Sequence, residues 1–141
     1  MATVELRFSA LPEHVRTARL VAAAVARRAG VDEAVLDEVR LAVGEACTRA
    51  VGLHQSSGVT APVRVLLIEE EKQFSIEVGD EAPRLSPGGA VAGIDDADAE
   101  SEDEMGLAVI SGLVDDVEVM ADENGGHIRM TWPIPPAPVL A

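Results

Sequence analysis

Aromatic residues are almost missing from this chain. It has no tyrosine, one tryptophan and two phenylalanines, 2% of the sequence in all. Stacking on nucleic-acid bases is therefore disfavoured, and Val, Leu, Ile and Ala must fill the interior. Positive charge is scarce as well. Lys and Arg number 11 against 25 Asp and Glu, a formal net charge of −14. Such a chain repels phosphate backbones, which argues against direct DNA or RNA binding and for a basic protein partner, or one with a basic patch.

A lone cysteine, Cys47, cannot close an internal disulfide, and its place in an apolar-periodic segment fits a reduced, cytoplasmic protein. The first residues lack a basic region followed by an apolar stretch, so no signal peptide is expected. No apolar run is long enough to span a membrane. His14, His54 and His127 lie far apart, and with Cys47 isolated no metal-ligand spacing appears.

What is present is strong periodicity. The chain of 141 residues, 48% apolar, fits one domain with a real core. Val35, Val39, Ala42, Val43, Ala46, Ala50 and Leu53 recur at steps of three and four, one buried face of a helix. Asp32 is placed to cap that helix, which is expected to reach about Leu53, with His54 to Gly58 as its exit loop and His54 a loop residue. Gly44 weakens helix propensity but permits close approach. Glu38, Glu45 and Arg49 fall on a second stripe, and Glu45 and Arg49, four apart, can meet. Glu45 is either half of a surface ion pair on a core helix or a carboxylate that burial can tune into a base.

Elsewhere, Val4, Leu6 and Phe8 alternate as a strand. Pro12 opens an amphipathic helix through Val15, Ala18, Ala22, Val25 and Ala29, which Gly30 stops. Its arginines, Arg16, Arg19, Arg27 and Arg28, are either a solvated face or a patch for an acidic partner. Residues 63–69 and 73–79 form a hairpin around Glu70-Glu71-Lys72. Residues 86–104 are irregular and end in seven carboxylates within ten positions. A helix then follows Gly106, with core spacing at Leu107, Ile110, Leu113 and Val114. Two strands end the domain, 117–120 and 127–132, turning at Asn124-Gly125-Gly126, with Trp132 covering the core edge. Four prolines from Pro133 onward mark residues 133–141 as an extended tail outside a domain at 1–132. The order β-α-α-β-β-loop-α-β-β predicts an α+β two-layer sandwich with a mixed, mainly antiparallel sheet and helices on one face.

Residues 41–51, Leu-Ala-Val-Gly-Glu-Ala-Cys-Thr-Arg-Ala-Val, resemble the first nucleotide-binding motif of bacterial anti-sigma-factor serine/threonine kinases of the RsbW kind. These belong to the superfamily of gyrase, Hsp90, histidine kinases and mismatch-repair ATPases. The resemblance implies the histidine-kinase-like ATPase (Bergerat) fold, with Glu45 as general base. The family's magnesium ligand, an Asn, is Arg49 here, which could pair with Glu45 in the metal's place. The family's adenine-contacting Asp falls at Asp80, and its next two glycines at Ala82 and Arg84. Residues 81–104 match the nucleotide lid. In the last motif Glu104 replaces the first glycine, Gly106 keeps the second, and Leu107 follows. By resemblance the partners are a sigma factor and an anti-sigma antagonist, and the chain is a homodimer. With the motifs so altered, the expectation is a protein-binding regulator with ATP binding and kinase activity weakened or lost. The alternative is an active kinase using ATP and Mg2+ on a serine of the antagonist.

Overall fold

The alternation of Val4, Leu6 and Phe8 with polar or charged neighbours makes strand β1 (Ala2–Phe8), with those three side chains half-buried. A computed structural model describes residues 2–83, 107–114 and 116–135 of the chain. A 3-10 turn, Pro12–His14, leads into helix α1 (Val15–Ala29), which buries Val15, Ala18, Ala22, Ala23 and Ala26 and ends at Gly30 as expected. Asp32 then accepts a hydrogen bond from the Ala34 N–H at 3.0 Å and starts a second turn into helix α2 (Leu36–Ser57). The hairpin is β2 (Val63–Glu69) and β3 (Gln73–Asp80). Residues 107–113 form helix α3, followed by β4 (Asp116–Asp122) and β5 (Gly125–Pro133).

Helix α2 runs a full turn beyond the expected end at Leu53. His54 sits four residues after Ala50 and seven after Cys47, on the same buried face, so the packed surface carries the helix on. The stop is Gly58, whose φ of +66° is one that side-chain-bearing residues avoid. The Gly58 N–H donates to the Gln55 carbonyl and the Val59 N–H to that of His54, so the last carbonyls are satisfied.

The sheet order is β1-β2-β3-β5-β4, and every pairing among the described strands is antiparallel. The expected mixed sheet is corrected in that respect. β3 and β4 do point the same way, as a strand-helix-strand crossover predicts, but β5 returns from β4 and inserts between them. The β4–β5 turn is Glu123-Asn124 rather than Asn124 to Gly126, because Gly125 already pairs with Asp122. The Asp122 carboxylate accepts from the Asn124 N–H at 2.8 Å and shapes it.

One sheet face meets the helices. Phe74, Leu67, Ile76, Ile128 and Met130 supply its large, fully buried side chains, each contributing about 1.5–3 kcal/mol by burial. The helices answer with Ala and Val, which lets them lie close to the sheet. Trp132 is 3% exposed and paired in register with Phe74, so it is a core residue, not a cover on the edge. The other face is polar: Ser75 and Thr131 hydroxyls are 3.0 Å apart, and Arg129 lies 3.3 Å from Glu77 and 3.4 Å from Glu70. The start of the expected free tail is also tied down. Pro133 is the last rung of β5, and the Ile134 N–H donates to the Lys72 carbonyl at 2.9 Å. Residues 136–141 lie outside the described residues.

Candidate functional site

Helix α2 supplies the first part of the site. Its buried face leaves Glu45 and Arg49 half-buried beyond its border. Glu45 lines a groove of about 400 Å³ between α1 and α2, with Arg16, Arg19, Leu41 and Thr48. Gly44 makes the groove possible, since a Cβ there would come within 2.8 Å of Arg19 Cδ. The aliphatic stem of Arg19 thus lies across the helix beside Glu45, and Leu41 is 53% exposed at the groove. The expected Glu45–Arg49 ion pair is not among the contacts of the described residues. The side chains diverge: Glu45 turns to the α1 groove while Arg49 Nε is buried.

The second part is the end of β3. Asp80 is 7% exposed, and its Oδ1 accepts from the Ala82 N–H at 3.0 Å. Ala82 is 1% exposed. Two further residues fix this turn, and neither was read as functional from the sequence. His54 is fully buried at the end of α2; its Nδ1 is 2.9 Å from the Ala61 carbonyl, and its Nε2 accepts from the Glu81 N–H at 2.9 Å. The loop assignment for His54 is therefore corrected. Gly125 backs the turn from β5, so close that an added Cβ would lie 2.9 Å from Glu81 Cα. The signal for His54 was available in the helix period; that for Gly125 depends on strand register, which no local pattern reveals.

On the sheet's polar face, Asp80 and Glu81 border a hollow of about 200 Å³ with Arg7, Pro62, Arg64 and Gly79. Leu107 is half-buried against the core at the start of α3. Arg84, Glu104, Gly106 and the expected lid beyond Pro83 lie outside the described residues.

The implied magnesium set does not fit these residues. A guanidinium offers five donors and no lone pair, so Arg49 cannot take the place of an Asn ligand. Among the described residues no group of three or more His, Cys, Asp or Glu could hold a metal ion. On the adenine side, one Asp80 oxygen is already committed to the chain's own backbone. Cys47 is no nucleophile either: burial pushes its thiol from the ordinary 9.0 up to about 12.

Two α-helices on one face of an antiparallel sheet, with a third helix following the β3 segment, are the architecture of histidine kinase-like ATPases. The family described as "Histidine kinase-like ATPase domain" matches residues 8–132, and the chain belongs to it. More particularly, it is similar to the "Serine-protein kinase RsbW" of Bacillus pumilus, 29% identical over 136 residues, covering 91% of this chain and 83% of that one. The same-named protein of Bacillus licheniformis is 28% identical over 137 residues with the same coverage. A crystal structure of the RsbU and RsbW domains of a Mycobacterium tuberculosis protein superposes on the whole chain with a TM-score of 0.68 at 16% identity. This chain spans 35% of that longer one, and the likeness shows the fold. Among the described residues no helix is long and apolar enough to cross a membrane.

Proposed function

We propose that this chain is an anti-sigma-factor-like regulator that acts by gripping protein partners, with its ATP and kinase chemistry weakened or lost. The observation that carries the reading is Arg49, a cation without acceptor atoms at the position where the related kinases need a metal ligand. The turn at Asp80 supports it. A buried Ala82 methyl and a carboxylate folded onto the Ala82 N–H leave less room and fewer free acceptors for a purine. The groove between α1 and α2 supports the partner-binding side. Arg16 and Arg19, set beside the carboxylates of Glu13 and Glu45, and the exposed Leu41 present charge of both signs and apolar surface together. An amphipathic segment of a sigma factor or of an anti-sigma antagonist, carrying charges of both signs, matches that chemistry. The homodimer implied by resemblance belongs to the same proposal.

One observation favours the kinase alternative. Glu45 is retained, half-buried and open to the groove, where a serine side chain of an antagonist could reach it. Calorimetric titration with ATP and magnesium decides between the two. No binding heat is the expected result, and micromolar, magnesium-dependent binding would overturn the degenerate reading. If binding is absent, Arg49→Asn combined with Ala82→Gly and Arg84→Gly is expected to recover it. Failure to recover would remove those three positions as the cause. Co-purification from the native cell tests the partners: retrieval of neither a sigma factor nor a small antagonist rejects the regulator.

A further inference from the structure

The Asp80–Ala82 turn has three separate anchors. The Asp80 carboxylate holds the Ala82 N–H, the backbone at Gly125 presses on Asp80 and Glu81, and the His54 ring holds the Glu81 N–H. The first and last of these hang on groups that can take up a proton, but only the imidazole becomes a donor at the very atom that accepts the bond and has no second acceptor to offer there. The Ala61 carbonyl can only accept, so Nδ1 carries the ring hydrogen in this arrangement; the Glu81 N–H can only donate, so Nε2 is bare. The two bonds therefore specify one neutral tautomer of a fully buried ring.

We propose that His54 is a positioning residue. As the neutral Nδ1–H tautomer it pins the Asp80–Ala82 turn to the end of α2, and a proton taken up at Nε2 releases that turn. With Nε2 protonated, two N–H groups face each other and the Glu81 bond cannot exist. A buried imidazolium whose Nε2–H has no acceptor is costly, so relief comes from moving the backbone at the exposed Glu81 rather than the packed helix. Among the described residues, the charged and titratable groups at this end are Asp80 from β3, Glu81 just after it, Arg64 from β2, Arg7 from β1 and His127 from β5. The last turn of α2 contributes none besides His54, and neither does the loop to β2, residues 58–62. These contacts hold the wall at Asp80 in the protein alone, with no nucleotide required.

The test uses the full chain, labelled with 15N, without nucleotide. Imidazole two-bond correlations at neutral pH are expected to show hydrogen on Nδ1 and a bare Nε2 for His54. On acidification, the Glu81 amide should lose about tenfold of its hydrogen-exchange protection, with the midpoint at which His54 titrates. The Ala82 amide should shift with the same midpoint, while amides in the middle of α2 stay protected. His54→Gln, which offers one donor and one acceptor, should keep Glu81 protected and abolish the pH step; His54→Leu should lose the protection at every pH. Hydrogen on Nε2 at neutral pH, Glu81 protection indifferent to His54 titration, or a pH step that persists in His54→Gln would each overturn the proposal. If His54→Leu does not fold, the wild-type titration and His54→Gln still decide it.

Discussion

Gly125 and Asp80 meet backbone to backbone: a methyl group on Gly125 would overlap the Asp80 carbonyl oxygen. Gly125 also holds a φ of +137°, which L side chains rarely adopt. The wall of the candidate pocket is thus set from behind by a glycine of the last strand.

Gly125→Ala is therefore expected to be costly. Backbone strain and overpacking together should remove about 2–4 kcal/mol of stability. Urea unfolding reads this as a lower midpoint at unchanged slope. A loss below about 0.5 kcal/mol would mean that the turn gives way freely, against the close contact described here.

Gly44→Ala should behave in the opposite sense. Its Cβ would meet only Arg19 Cδ, within a flexible and exposed side chain that can move. Helix propensity favours alanine by about 1 kcal/mol, so unfolding should show equal or greater stability. Partner affinity should nonetheless fall, because Arg19 is displaced beside Glu45. Retrieval of partners from the native cell by wild type and variant measures this, and equal retrieval would remove the groove from the interface.

The Cys47 thiol should be silent toward an aromatic disulfide reagent at pH 8 in the folded protein and react at once in denaturant. Its raised folded-state value has a consequence for stability. Below the unfolded value of 9.0 both states hold the proton and stability is insensitive to it. Above 9.0 the unfolded thiol ionises and the folded one does not, so stability falls, by up to about 1.4 kcal/mol per pH unit, until about 12. Cys47→Ala should lose that part of the alkaline slope, in addition to a constant cost for the deleted sulfur.

Asp32→Ala removes the side chain that accepts from the Ala34 N–H at the entry to α2. The expected cost is about 1 kcal/mol, read by thermal or urea unfolding. Asp32→Asn should recover most of it, since an amide oxygen also accepts this bond.

Much of this architecture was legible because it follows from local patterns. Val4, Leu6 and Phe8 declared a strand by alternation, Asp32 a helix start, and Glu70-Glu71-Lys72 a hairpin turn, and each stands where it was expected. What escaped was long-range. The helix period could place His54 on the buried face with Ala50 and Cys47, though the polar Gln55, Ser56 and Ser57 after it suggested a loop; its ring's bonds to Ala61 and Glu81 could not be read locally. Trp132 could not be placed in the core until β5 was known to lie beside β3. The antiparallel sheet has the same origin, since insertion between two strands leaves no mark in the inserted sequence. For the candidate site the motif supplied positions, Glu45, Arg49, Asp80 and Ala82. It did not supply their geometry, because an i,i+4 spacing lets Glu45 and Arg49 meet without saying that Glu45 lines the groove against α1.

The central place of β5 bears on how the polypeptide comes together during synthesis. A ribosome delivers β1, β2 and β3 long before β5, so the emerging chain can complete only a three-stranded sheet whose border along β3 still lacks its native partner. That border waits, while some 45 further residues are translated, for the partner that seals it. A chaperone that shields nascent protein has its clearest task here during that interval.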